Sequence, residues 1–337
     1  MKEQHKWAVQ KRKDYSQHIM PLKHSVELPA PKFSGEHPFL REACAQLGSP
    51  DESVLLREYG AGDKIEESHR SSNAPVVVLD LAESRTYRFA YNSGQMADTV
   101  IIRTAEGKKP TLIMDINTAG AHSHFIECHL APDSALNLVT VQRMRGGIYM
   151  GKHFAELAER ASLRIMHLDI GADLSLVEQK VILAGRGAEA ANYTSAFKSG
   201  KQKCDFNIES IHDAEESSSE IDCAVMLEDS SLMNARTLVQ INREASRSKG
   251  LEKVDALLMS DKCSISAVPD LLIHNNDVVC THSVAISSLD SEKKFYIMSR
   301  GIDESGATAM LKEAFIKNQL EKIAVEEVKE VEMMLHA

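Results

Sequence analysis

The chain has 337 residues and a mass of 37.3 kDa, room for one large domain or two ordinary ones and too much chain for a disulfide-held miniprotein. Hydrophobic residues at 43% and charged residues at 26% exclude wholesale disorder and predict a packed, soluble globular fold. With 49 Asp and Glu against 39 Lys and Arg the formal charge is -10, which argues against a nucleic-acid partner, since neutralising phosphates needs an excess of cations.

The opening residues, MKEQHKWAVQKRKDYSQHIM, are basic but lack the apolar run of a signal peptide. They predict a solvated helix face, with neither a secretory leader nor an anchor. Pro21, Pro29, Pro31, Pro38 and Pro50 break any long element, so residues 1–70 read as an irregular, partly helical N-terminal region. The longest apolar stretch worth naming runs only from Ala74 to Leu79, far short of the roughly 20 residues that a membrane helix needs, and no membrane association is expected.

From Val76 to about Ile286 the chain changes to strand-length runs rich in Val, Ile, Leu and Thr: VVVLDL, DTVIIRT, TLIMDI, LNLVTV, SLRIMHLDI, KVILAG, CDFNIESIH, EIDCAVML, LVQIN, KVDALLM, DLLIHN and VVCTHSVAI. Ile221, Cys223, Val225 and Leu227 recur at every second position, the period that places side chains on one buried face of a strand. Successive strands begin near Cys204, Ile221, Thr237, Lys253, Ser264 and Val278, leaving no room for crossover helices. A doubly wound α/β sheet is excluded, and short strands with tight polar turns suit either a sandwich or a β-solenoid. Residues 71–290 therefore form the predicted β core.

Beyond it, residues 291–337 read as a helical C-terminal module. Ala307, Met310, Leu311, Ala314 and Phe315 fall at helical spacing, and Leu320, Ile323, Ala324, Val328, Val331 and Leu335 continue the stripe. Asp303 or Ser305 is placed to cap the first of these helices.

Six cysteines, Cys44, Cys128, Cys204, Cys223, Cys263 and Cys280, are scattered without a CxxC pair, which predicts reduced thiols in a cytoplasmic protein. Cys44, Cys204 and Cys223 carry no motif and read as core or surface thiols. His122, His124, Cys128 and His129 are of types that bind zinc or iron, but their spacing is poor. His122 and His124 can share one face of a strand, whereas consecutive Cys128 and His129 cannot, and the group reads as a polar loop and edge. Gly185 and Gly187 in LAGRGAE lack the Lys-Ser/Thr of a phosphate loop and read as turn glycines between strands. Cys280 and His282, two apart on a predicted strand, point the same way and are able to share one site.

The stretch from Ser260 to Phe315 resembles the C-terminal signature of the SufB/SufD family of iron–sulfur cluster assembly scaffolds. The matching elements are Cys263 in SDKC, Pro269, the segment Asp277 to Ala285 around CTHSVA, and Phe295 to Ile302 as FYIMSRGI. Upstream, Gly171 to Phe197 also resembles the family core, so the likeness covers roughly Ser162 to Ile323, while residues 1–120 resemble it only loosely. The resemblance implies a right-handed parallel β-helix flanked by helical segments, and a scaffold without catalysis of its own that accepts sulfur and iron, builds a transient iron–sulfur cluster and passes it to apo-proteins.

By the same resemblance, Cys263 is the sulfur acceptor or iron ligand, in keeping with the affinity of soft thiolates for iron, and His282 and Cys280 complete the assembly site with it. A step of 17 residues from Cys263 to Cys280 is taken as about one coil, which would set Cys263 beside that pair at strand spacing. Where SufB carries a glutamate after the matched His, this chain has Ser283, which is SufD-like, yet SufD generally lacks the Cys that stands here as Cys263. One chain thus combines a mark of each branch, which implies a homodimer joined through the last strands or a SufB/SufD-like heterodimer. Other implied partners are a SufC-type ABC ATPase, docked on Ala307, Met310, Leu311, Ala314 and Phe315, and a cysteine desulfurase or sulfur carrier. The alternatives left standing by the residues are a β-helix polysaccharide-processing enzyme and a purely structural solenoid. Low aromatic content, 5%, counts against the first.

Overall fold

The computed structural model describes residues 76–91, 96–288 and 291–322. The lead-in expected over residues 1–70, Cys44 and the helical stripe from Ile323 onward lie outside the described residues. Sixteen strands follow one another: β1 (Val76–Leu81), β2 (Thr86–Tyr91), β3 (Met96–Thr104), β4 (Thr111–Ile116), β5 (Ala121–Leu130), β6 (Ala135–Gln142), β7 (Ile148–Leu157), β8 (Ser162–Asp169), β9 (Leu174–Leu183), β10 (Glu189–Lys198), β11 (Lys203–His212), β12 (Ser218–Leu227), β13 (Leu232–Ile241), β14 (Lys249–Leu258), β15 (Ser264–Ile273) and β16 (Val279–Ser288).

Each strand pairs in parallel with the strand two further along, so the odd strands make one eight-stranded sheet and the even strands a second. The chain winds between them as a two-sheet parallel β-solenoid, which resolves the choice between sandwich and solenoid. At the corners, Asp133, Arg160, Glu216, Asp229 and Arg247 adopt left-handed φ angles and turn the chain from one sheet into the other. Gly185 and Gly187 lie in such a corner, between β9 and β10. Exposed pairs such as Arg160–Asp133 and Arg186–Glu216 link neighbouring corners.

Alternate residues point inward and stack in columns. Ile221, Cys223, Val225 and Leu227 are buried, as their period predicts, and Cys204 and Cys128 join the same core. Burial pushes the Cys128 and Cys204 thiols well up and the Cys223 thiol up to about 12, so these three are inert packing groups.

Two sequence expectations are overturned. A full coil carries the chain from Leu232 to Ser264 and from Lys249 to Val279, so the step from Cys263 to Cys280 is half a coil and leads into the opposite sheet. His122 and His124 belong to neither a loop nor an edge. They lie on β5, which is hydrogen-bonded on both sides by β3 and β7, and both are fully buried.

After β16 come α1 (Ser291–Ser299) and α2 (Glu304–Leu320). Asp303 caps α2 by accepting from the Gly306 N–H at 2.8 Å, while the Ser305 hydroxyl donates to Asp303. Helix α2 lies along the outer face of the even sheet. Ile316, like Tyr193 and Phe197, borders the cluster of Ile113, Val139, Val141, Met166 and Leu168, the Phe315 ring meets Phe197 edge-on at 6.3 Å, and Lys322 Nζ reaches Asp222 at 2.6 Å. The predicted stripe is therefore divided: Ala307 is buried and Phe315 faces this chain's own sheet, whereas Met310 and Ala314 are exposed. Neither helix is long and apolar enough to cross a membrane.

Candidate functional site

Cys263 sits in the corner that leads into β15, one residue before the strand. Its thiol donates to the Ser260 carbonyl at 2.8 Å and reaches the Leu227 carbonyl at 3.5 Å. One coil earlier Ser231 does the same with oxygen, its hydroxyl donating to the Glu228 carbonyl at 2.8 Å and to the Lys198 carbonyl at 3.3 Å. The corner thus has a hydroxyl-sized niche in which this chain places sulfur at the final turn.

Cys280 and His282 lie on β16 in register with Gly250 and Glu252 of β14. Gly250 and Glu252 are buried, so Cys280 and His282 continue two inward-facing columns by one step. A Cβ at position 250 would clash with Val239 Cγ1 at 2.6 Å and crowd Cys280 Sγ at 3.3 Å, so glycine there keeps the column clear beside Cys280. Partial burial pushes the Cys280 thiol up, opposed by the Gly250 backbone and reinforced by the charge of Glu252.

Because β15 and β16 are the last strands of their sheets, each has one edge without a strand neighbour among the described residues. The inward columns end there in the open: Val284 is 41% and Ile286 50% exposed, with Val279 at 62% beside them. Cys280 is half-buried and His282 exposed. The last coil thus brings a thiol and an imidazole to one face at an apolar, unpaired end. Cys263 belongs to the same coil but enters from the corner into the opposite sheet.

Sequence reasoning missed Glu252. Its side chain is buried beneath His282, and neither oxygen has a partner in hydrogen-bond geometry among the described residues. Burial pushes its carboxyl up to about 8, and the Val239 backbone and Thr237 hydroxyl offset that only in part. It was illegible because GLEKVDALL offers a charged residue on both phases of the alternation.

The other candidate set lies far back in the solenoid. Among the described residues, Asp98, His122 and His124 are the group whose ligand atoms converge within 4.8 Å, whereas Cys128 faces the core lower in the strand and His129 faces out, bonded to Glu127 at 2.6 Å. Two further buried imidazoles stand near it: burial holds His167 down to about 4 and His153 well below the usual range.

The family description "SUF system FeS cluster assembly, SufBD core domain" matches residues 87–315, more than half of the chain. Curated relatives include the iron–sulfur cluster assembly SufBD family proteins of Staphylococcus saprophyticus, Staphylococcus epidermidis and Staphylococcus aureus strain MRSA252. Each is 24% identical over 250 residues, covering 72% of this chain and 54% of the relative, so the chain spans about half the length of the curated relatives it matches. A parallel solenoid over the matched residues agrees with that match: the chain belongs to the SufBD family of iron–sulfur cluster assembly proteins.

Proposed function

We propose that this chain is a scaffold on which an iron–sulfur cluster is built at the open last coil and from which it passes to apo-proteins. Cys263 accepts sulfur delivered by a cysteine desulfurase or sulfur carrier, and Cys280 and His282, on the opposite sheet of the same coil, hold iron. The observation that carries this reading is that the inward columns of the solenoid end in Cys280 and His282 at an exposed coil that also contains Cys263. Soft thiolate and imidazole donors suit iron and iron–sulfur chemistry.

Two copies joined end to end through β15 and β16 would cover the apolar residues Ile273, Val279, Val284 and Ile286 and pair the free strand edges, which proteins seldom leave open. Such a joint brings Cys263 of one copy near His282 of the other by two-fold symmetry. A SufC-type ATPase would dock on the C-terminal helices. Support for that surface comes from the exposed Phe295, Tyr296, Met298 and Met310, since large apolar side chains left on a helical face suit a partner groove.

The test is anaerobic reconstitution with iron, sulfide and thiol. The parent chain is expected to develop a cluster absorption band, Cys263→Ser to lose it, and His282→Ala to develop less. Mixed dimers of the two variants are expected to recover part of the loss. Parent levels of iron and sulfide in Cys263→Ser would sink the assignment.

A further inference from the structure

The interior of the solenoid carries a second cluster of metal-ligand types, distant in sequence from the last coil. Asp98 is on β3 and His122 and His124 on β5, where the parallel register sets Asp98 directly beside His124. All three are buried, with side-chain exposures of 0–2%. His124 Nδ1 lies 2.6 Å and His122 Nε2 3.9 Å from the same carboxylate oxygen, Asp98 Oδ1. The other oxygen, Oδ2, accepts from the Tyr91 hydroxyl at 2.8 Å. His122 Nδ1 stands 3.3 Å from the Thr118 hydroxyl. Asp98 and His122 are thus each oriented by a hydroxyl behind them, the arrangement that fixes ring tautomer and carboxylate direction at metal sites.

A second observation points to an occupant. Buried polar atoms in native proteins almost always find a partner, yet around this cluster several do not among the described residues: His124 Nε2, the Tyr149 hydroxyl, His153 Nε2 and both ring nitrogens of His167. These residues are contiguous. The rings of Tyr91 and His124 are 5.3 Å apart, His122 and Tyr149 6.0 Å, Tyr149 and His167 5.9 Å, and His153 and His167 5.7 Å. Glycine at 151, in register with His124, leaves the Tyr149 hydroxyl in the space a side chain would fill, 2.8 Å from where a Cβ would stand.

We propose that Asp98, His122 and His124 form a binding site for a divalent first-row transition-metal ion, separate from the cluster-assembly residues of the last coil. Two imidazoles and one carboxylate are the donor set of ferrous sites that keep open positions, and the same set suits zinc and cobalt. Around a metal at about 2.0–2.1 Å from each donor, the ligand atoms need to part slightly at the short His124–Asp98 contact and close slightly at His122, shifts of about an ångström or less. The Tyr149 hydroxyl, buried and without a partner among the described residues, is available to hydrogen-bond a water on the metal.

Because the site is sealed from solvent, loading is tested both by adding Co(II) to the folded, chelator-treated chain and by refolding from urea in its presence. The background is Cys263→Ser/Cys280→Ser/His282→Ala, which removes the last-coil donors. About one Co(II) per chain is expected, with a visible spectrum of nitrogen and oxygen ligation and no thiolate charge-transfer band. Asp98→Asn and His124→Gln are expected to weaken binding at least tenfold while circular dichroism shows the fold retained. Fe(II) and Zn(II) are expected to compete with Co(II) for the same site. If the variants fail to fold, X-ray absorption of the Co(II)-loaded background chain decides: imidazole in a nitrogen and oxygen shell supports the site, and sulfur in the shell overturns it. No uptake of Co(II) by either route, or undiminished uptake in folded His124→Gln, also overturns it.

Discussion

The corner that holds Cys263 repeats the corner that holds Ser231, with a carbonyl from the same turn and a carbonyl from the coil before accepting in both. Replacing sulfur by oxygen in Cys263→Ser is therefore expected to cost less than about 1 kcal/mol, because the niche already accommodates a hydroxyl with its hydrogen bond intact. Urea denaturation checks this, and it separates a chemical loss at Cys263 from a structural one. Glu252 is the opposite case, a buried group that the fold tolerates at a cost. Its carboxyl titrates near 8 in the folded chain against about 4.3 in an unfolded one. Between these values the folded state keeps a proton that the unfolded state has lost. Stability is thus fully present below about pH 4.3, falls as pH rises toward 8, and levels off above it. Glu252→Gln is expected to flatten that decline, gaining up to about 1.4 kcal/mol for each pH unit spanned, read as the difference between urea midpoints of parent and variant at pH 5 and pH 8. At this scale Cys263, Cys280 and His282 stand out in the sequence because a spaced motif surrounds them. The His-x-His alternation of His122 and His124 was visible too, but its meaning depended on Asp98, which only strand register brings alongside.

Strands whose inward residues are aliphatic were legible as elements, and those with polar interiors were not. Runs such as TLIMDI and EIDCAVML correspond to β4 and β12, whereas β5, β7 and β10, reading AHSHFIECHL, IYMGKHFAEL and EAANYTSAFK, turn His, Tyr, Gly, Asn and Thr inward and do not look like core. β2, TYRFAY, was missed for its brevity and its charged centre. The segment around Ala307 to Phe315 was read correctly as helical, but its apolar stripe is divided between this chain's own sheet and solvent, and periodicity names no partner. Here part of that partner is the even sheet, and the contact is pinned by Lys322, whose ammonium reaches the nearly buried Asp222 carboxylate at 2.6 Å. Lys322→Met is expected to cost about 3 kcal/mol by stranding that carboxylate. In an Asp222→Asn background the same change is expected to cost about 1 kcal/mol or less, because a neutral amide leaves no stranded charge. A double-mutant cycle by urea denaturation measures the difference, and equal losses in the two backgrounds would show that the ion pair does not hold the helix.

For the molecule as a whole, spacing between strands limited the architecture to sandwich or solenoid, and the family motif selected the second. What spacing failed to provide was the length of one coil, because strand-to-strand distance along the chain counts sheets and not turns. That error is what placed Cys263 and Cys280 side by side when they belong to opposite sheets. If two copies meet through the open end, Ile286→Asp is expected to leave the fold unchanged, since the side chain is already half exposed, and to shift the chain to monomer in light scattering at micromolar concentration. A monomeric parent would remove the end-to-end arrangement altogether. Pairing only with the coil before and the coil after makes the structure nearly one-dimensional, so that local stability depends on having two neighbours. β15 and β16 have one, as do β1 and β2 at the other end of the described residues. Backbone amides of β15 and β16 are expected to exchange with deuterium faster than those of β8 to β11, with protection of β16 rising as protein concentration rises. The residues that would handle sulfur and iron thus lie in a coil that opens more readily than the middle of the solenoid, and a second copy closing on them would act as their lid.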